Sequence, residues 1–195
     1  MRKRAILTIP FLLVFLLPLI IPAAAPAGPI VVGNALWYAF QFGGAGSFAT
    51  NGSSVVASPS GNSTPADNPP WTFTSPQTVK FTVTDVSLYG DSFTLFDQGN
   101  PIGATPAVAD GGGGGSTDPA LALLDPLFSH GAFNLAPGSH SITIRADASP
   151  FGAGGAFFRT DAIPEPAALT LIGAAVTCVF ARRKRRRSAA PTEAL

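Results

Sequence analysis

Between residues 28 and 163 the chain is so frequently interrupted by glycine and proline that it cannot be built from helices of ordinary length. Its apolar residues recur with a period of two instead. Thr78–Tyr89 (TVKFTVTDVSLY) sets Val79, Phe81 and Val83 on one face against Lys80, Thr82 and Thr84 on the other. The phase changes at Asp85, because Val86 and Leu88 are the next apolar residues, and this predicts a bulge or bend there. Ser92–Asp97 (SFTLFD) alternates again and runs into Gln98-Gly99-Asn100-Pro101, a turn, before Ile102–Thr105. Leu36–Phe42, Trp71–Thr74 and Gly155–Asp161 read as further strands. Gly131–Leu135 and Ser139–Ala146 read as a hairpin about Ala136-Pro137-Gly138, with Ile142 and Ile144 facing in and Thr143 and Arg145 facing out. Residues 58–70 and the glycine run within 110–119 read as loops, the second a mobile surface loop. Ala120–Leu127 is the one helix-like piece, cut short by Pro126. Eight or nine short strands with such punctuation predict a mainly β fold, an antiparallel, jelly-roll-like β-sandwich spanning 28–162.

The two ends have a different chemistry. Arg2-Lys3-Arg4, an apolar stretch from Ala5 to Ile21, and Ala25-Pro26-Ala27 before Gly28 have the order of a secretory signal peptide over residues 1–27. Cleavage is expected after Ala27, with Ala25 and Ala27 as the small residues and Gly28 as the new N-terminus. Near the other end come Ile163-Pro164-Glu165-Pro166, then the uncharged apolar segment Ala167–Ala181, then Arg182-Arg183-Lys184-Arg185-Arg186-Arg187. The apolar segment predicts a single membrane-spanning helix. The cations behind it cannot cross a bilayer and set its orientation by staying on the cytoplasmic side. The span is short. Its 15 residues reach about 23 Å as a helix against a hydrocarbon core of ~30 Å. Residues 188–195 follow as a cytoplasmic remnant.

This ordered triple, preceded by an export signal, resembles the PEP-CTERM sorting signal of Gram-negative bacteria over residues 163–187. The resemblance implies that Pro164, Glu165 and Pro166 are recognised by an exosortase-type membrane peptidase that cuts near them. It also implies export through the secretion translocon, a transient stay in the inner membrane, and delivery to the cell surface or an exopolysaccharide matrix. The body is loosely similar to a recurrent type of PEP-CTERM protein. The similarity rests on D-x-x-x-x-G-D-x-F-x-L-F-D at Asp85–Asp97 with its Gly-Asn-Pro-Ile-Gly turn, and on LAPGSHSITI at 135–144. No biochemical activity follows from that likeness. An unprocessed single-pass membrane protein is the alternative reading of the tail.

Charge is segregated in the same way. Of twelve cations, nine lie at the ends; residues 28–163 hold three cations and nine aspartates, a net charge of −6. An acidic body lacks the cations needed to displace phosphate counterions, which argues against nucleic acid as a partner. Cys178 lies in the apolar tail segment, so the body has neither disulfide nor thiolate metal site.

Within the body no catalytic constellation stands out. There is no G-x-S-x-G, and His130 and His140 lack metal-ligand spacing. The five glycines Gly111–Gly115 are not followed by the Lys-Ser/Thr of a phosphate loop. No enzymatic activity and no organic cofactor are therefore expected. Asp85, Asp91 and Asp97 fall in consecutive turns, and gathered at one edge they would suit Ca²⁺, although aspartate is also an ordinary turn residue. Trp37, Tyr38, Trp71 and Tyr89 would make a sugar-stacking platform if exposed, which keeps carbohydrate binding or hydrolysis open as an alternative.

Overall fold

The computed structural model describes residues 28–109 and 112–164. The predicted signal peptide with Ala25 and Ala27, Glu165 and Pro166, the apolar span 167–181 and the cluster 182–187 lie outside the described residues. Among those described, no helix is long and apolar enough to cross a membrane.

The fold is mainly β. Ten strands follow in order: β1 Gly28–Pro29, β2 Trp37–Phe42, β3 Ser63–Pro65, β4 Trp71–Ser75, β5 Val79–Asp85, β6 Ser92–Asp97, β7 Asn100–Ala104, β8 His130–Leu135, β9 Gly138–Ala148 and β10 Gly154–Ala162. A four-residue helix, α1 Pro119–Ala122, comes before β8. Asp118 caps it, accepting from the Ala120 amide at 2.8 Å. The helix stops at Ala122, four residues short of Pro126.

The strands form two five-stranded sheets, β1-β4-β9-β6-β7 (sheet I) and β3-β2-β10-β5-β8 (sheet II). All six pairings among the eight longer strands are antiparallel. Both sheets are nevertheless mixed, because β1 joins β4 and β3 joins β2 in parallel. The wholly antiparallel expectation fails at these two short edge strands. A parallel neighbour needs a long crossover, and residues 43–62, which composition reads as turn and loop, provide one between β2 and β3.

Two local readings also change. The chain between β8 and β9 does not make a hairpin: β8 pairs with β5 in sheet II, whereas β9 pairs with β4 and β6 in sheet I. Ala136-Pro137 carries the chain from one sheet to the other. Among the described residues the one hairpin between consecutive strands is β6–β7, where Asp97 faces Asn100 across Gln98-Gly99. Both turn residues have positive φ, 50° and 80°, the geometry whose twist matches a two-residue hairpin. Of the bulge or bend expected at Asp85, no bulge appears in the β5 register; the chain bends just beyond it, at Ser87 with φ 74°, and the register irregularities lie on β6, at Ser92/Phe93 and Leu95/Phe96.

The phase change at Val86 has another cause. Val79, Phe81, Val83 and Asp85 all stay on one face of β5, and all four are buried. That face belongs to the main core, where Phe40, Phe81 and Phe158 of sheet II meet Trp71, Phe93, Ile142 and Ile144 of sheet I. Trp71 sits in its middle, 4.6 Å from the Phe158 ring and 5.6 Å from Phe40, with its indole N–H donated to the Asp67 carbonyl at 2.8 Å. Val86 belongs instead to a second cluster with Trp37, Ala39, Phe157, Ala122 and Phe128. Trp37, Ala39 and Phe157 alternate with the main-core residues of their strands, so this cluster covers the opposite face of sheet II. The segment around α1 that closes it is held to residues 87–89 through the glycine run. The Gly115 amide donates to the Ser87 carbonyl at 2.7 Å, and Ser87 donates back to Ser116 at 3.0 Å. A Cβ on Gly115 would stand 2.6 Å from both the Phe128 ring and the Tyr89 hydroxyl. This end of the run is packed in place, and only a residue without a side chain fits there.

Candidate functional site: a buried carboxylate pair at one end of the sheets

Asp85 is the last residue of β5 and continues the apolar face of Val79, Phe81 and Val83 into the interior, where it is fully buried. Asp91 lies just ahead of β6 in the other sheet and is 3 % exposed. Residues 86–90 cross from sheet II to sheet I and bring the two carboxylates to the same end of the molecule. The pairing of Ser92 with Ala148 sets Asp91 beside Ser149, whose hydroxyl lies near the carboxylate without a well-formed hydrogen bond to it. Gly154, at the start of β10, closes the other side: a Cβ there would meet Asp91 Oδ2 at 2.9 Å and the Phe42 ring at 2.5 Å. Glycine at 154 therefore makes the space that the Asp91 carboxylate occupies.

The electrostatics follow from burial. Asp85 Oδ1 accepts one hydrogen bond, from the Val86 amide at 2.8 Å. Desolvation, and next the neighbouring charge of Asp91, raise the Asp85 pKa to about 9, against the smaller opposing pull of backbone N–H groups at Val86 and Asp91. Desolvation likewise raises Asp91 to about 6, opposed by the Ser149 hydroxyl. At neutral pH Asp85 thus carries a proton while most of Asp91 is ionised. Asp85 Oδ2, Asp91 Oδ1 and Ser149 Oγ are buried atoms without a geometrically sound hydrogen bond among the described residues. The body's cations give no compensation: Arg145 pairs with Asp147 at 2.8 Å and Arg159 with Asp161 at 3.0 Å, and Lys80 is exposed.

Asp97 is not part of this site. It ends β6, and the six residues of that strand place it about 20 Å from Asp91 at ~3.4 Å per residue. Its oxygens are occupied. Oδ2 meets His140 Nδ1 at 2.7 Å and Oδ1 accepts from the Ser141 amide at 3.0 Å. The other His140 nitrogen faces the Ala136 carbonyl at 2.9 Å. His130 contacts the Phe128 carbonyl at 2.9 Å. The three-aspartate cluster is therefore corrected to a pair, and among the described residues no three of His, Cys, Asp and Glu converge.

The aromatic platform does not form either. Trp37 and Trp71 are fully buried, Tyr38 is nearly so, and Tyr89 packs against Phe128 with its hydroxyl on Asp125. Arg159 covers the Trp37 ring at 4.7 Å. A groove of about 400 Å³ does exist, lined by residues that include Gln41, Phe42, Ser54, Val55, Ser87, Thr117 and Gly155. Its lining carries neutral amide and hydroxyl groups and no carboxylate. Val86 and Gly154 line it as well, so the acid pair lies directly behind the groove wall: the Val86 amide bonds Asp85, and Gly154 abuts Asp91.

Composition and turn propensity place Asp85 and Asp91 near each other but not inside. The signal that would have placed Asp85 was the strict alternation Val79, Phe81, Val83, Asp85, which aims it at the core. Ser149 and Gly154 have no such local signal, since they reach the site only through strand pairing. Comparisons with protein families, with curated proteins and with solved structures find no match for this chain.

Proposed function

We propose that this chain is an exported bacterial surface or matrix protein: a jelly-roll β-sandwich delivered by a PEP-CTERM-type sorting tail. Strand order supports the jelly-roll reading. Counting only the eight longer strands, the first, eighth, third and sixth form one sheet and the second, seventh, fourth and fifth the other, as two nested Greek keys require. The observation that supports the sorting reading is where the last described strand ends. Strand β10 lies in the middle of sheet II and ends at Ala162, and the Ile163 amide donates to the Thr78 carbonyl at 2.8 Å. The Pro-Glu-Pro block starts at the next residue. A cut at or beyond Pro164 therefore removes the apolar segment and the Arg cluster and leaves every pairing described above intact.

In this reading the translocon exports the chain, and the 167–181 segment holds it in the inner membrane with Arg182–Arg187 on the cytoplasmic side. An exosortase-type peptidase recognises Pro164, Glu165 and Pro166, and the acidic body passes to the surface or to an exopolysaccharide matrix. Intact-mass measurement of protein recovered from the cell surface tests it. The expected species runs from Gly28 to the neighbourhood of Pro164. A species running from Gly28 to Leu195 overturns the processing step and leaves a single-pass anchor.

A second reading, binding of a neutral saccharide, is favoured by the groove. Hydroxyl and amide groups beside Phe42 and Val55 suit a ligand with polar edges and apolar faces. Calorimetric titration with neutral oligosaccharides from the matrix should give saturable heat; none at millimolar sugar removes the reading. The hydrolytic alternative requires an acid pair in that groove, and none of its lining residues is acidic.

A further inference from the structure

We infer that Asp85, Asp91 and Ser149 form a binding site for a hard divalent cation, Ca²⁺, which ties the two sheets together at one end of the body. The inference is independent of how the tail is processed. It begins with three oxygens: Asp85 Oδ2, Asp91 Oδ1 and Ser149 Oγ are all shielded from solvent, and all lack a well-formed hydrogen bond among the described residues. Asp85 is 0 % and Asp91 3 % exposed. A buried carboxyl oxygen without a partner is costly, and here two lie side by side. Native interiors leave few such atoms, and an ion is one of the standard reasons for those that occur.

The donor set selects the metal. The site offers carboxylates and a hydroxyl, with no imidazole or thiolate. His140 is held at the far end of β6 by Asp97 and Ala136, and Cys178 lies in the tail. Oxygen-only donors suit Ca²⁺ or Mg²⁺ rather than Zn²⁺. Two carboxylates and one hydroxyl, from the end of β5 and the segments before β6 and after β9, make a small, irregular set. Ca²⁺ tolerates such a set, with water and backbone carbonyls completing its shell, whereas Mg²⁺ demands near-ideal octahedral geometry. So few charged ligands place the affinity among weak extracellular sites, roughly 0.1–1 mM.

Topology gives the ion a structural effect. Asp85 belongs to β5 and pairs with Ala156 of β10, both in sheet II. Asp91 and Ser149 precede β6 and follow β9, both in sheet I. One ion bound to all three would bridge the 86–91 crossing and the start of the 149–153 connection. Gly154 leaves the room in which the Asp91 carboxylate sits.

The test uses the full-length protein in detergent, stripped with EDTA and held at pH 8 and constant ionic strength. Equilibrium dialysis should find one saturable Ca²⁺ per chain that is lost in Asp91→Asn and in Asp85→Asn. Thermal unfolding should rise by roughly 5–10 °C at 10 mM Ca²⁺, with a smaller rise in Mg²⁺. Ser149→Ala should weaken binding several-fold, and Asp97→Asn should leave it unchanged. No bound ion at 10 mM Ca²⁺ overturns the inference, as does wild-type binding by both Asp85→Asn and Asp91→Asn. If the carboxylate variants fail to fold, wild-type stoichiometry together with Ser149→Ala decides: unchanged affinity in Ser149→Ala counts against the site.

Discussion

Replacing Asp85 by asparagine should stabilise the body at alkaline pH, and the size of the effect follows from burial. In the folded state Asp85 keeps its proton up to a pH of about 9, whereas its ordinary value is 3.8. The folded state therefore binds more protons than the unfolded state between these limits. Stability is highest below about pH 4 as far as this group is concerned, and it is lost as pH rises toward 9. Asp91, raised to about 6, contributes in the same direction but has finished titrating by the upper part of that range. From pH 6 to 9 Asp85 alone gives a slope of about −1.4 kcal/mol per pH unit. Over three units the loss is about 4 kcal/mol, a large share of a typical domain stability of ~5–15 kcal/mol. Asparagine has nearly the shape of the protonated acid and cannot ionise. Urea unfolding in EDTA, at matched ionic strength and pH 6, 7, 8 and 9, should show the variant already ahead at pH 6, where the unfolded wild-type side chain is ionised, and the lead should widen by about 4 kcal/mol more by pH 9. Histidines and the other carboxylates are common to both proteins and cancel in the difference. Parallel curves, with a lead that widens by under about 0.5 kcal/mol from pH 6 to pH 9, would refute the claim that Asp85 is held protonated by desolvation.

Three further substitutions probe the packing. Gly154→Ala places a Cβ 2.5 Å from the Phe42 ring and 2.9 Å from Asp91 Oδ2; it should cost about 1–3 kcal/mol in urea unfolding, and a neutral result would mean this end of the sheets is loosely packed. Trp71→Ala removes the ring that Phe40 and Phe158 pack against and should cost about 3–5 kcal/mol, visible as a lowered denaturation midpoint with little change in slope. Asp97→Ala strips His140 and the Ser141 amide of their shared acceptor and should cost about 2 kcal/mol, with no effect on Ca²⁺ binding. In the tail, Glu165→Ala combined with Pro166→Ala should leave the chain in the membrane fraction at full mature length; normal release would show that the block is not the recognition element.

Much of the local structure was legible in the residues. Alternation located β5, β6 and β9 to within a few positions, because a strand with one buried face must repeat every second residue, and apolar runs bounded by turn residues located β2, β4 and β10. The turn after β6 was legible but too long by two residues: Asn100 and Pro101 belong to β7, which leaves Gln98-Gly99 with positive φ. Strand pairing was less legible. Leu135 and Ile142 are inward-facing whether β8 and β9 form a hairpin or belong to opposite sheets, and nothing in residues 131–146 distinguishes the two cases. The short strand β3 looked like loop because Ser63–Pro65 packs no apolar face of its own and exists only as an addition to the edge of β2. Phe157, beside Phe158, departs from the simple alternation because a second cluster covers the far side of sheet II, and that cover comes from residues 113–128, some thirty positions away.

By itself, then, the sequence determined a mainly β body, the acidic balance of that body, and the order of its two chemically distinct ends, since periodicity and charge are properties of neighbouring residues. Tertiary structure decided that Asp85 and Asp91 share one dry end of the sheets with Ser149 and Gly154, while Asp97 is paired elsewhere. A carboxylate's ionisation depends on its distance from water and from other charges, and strand pairing sets both distances.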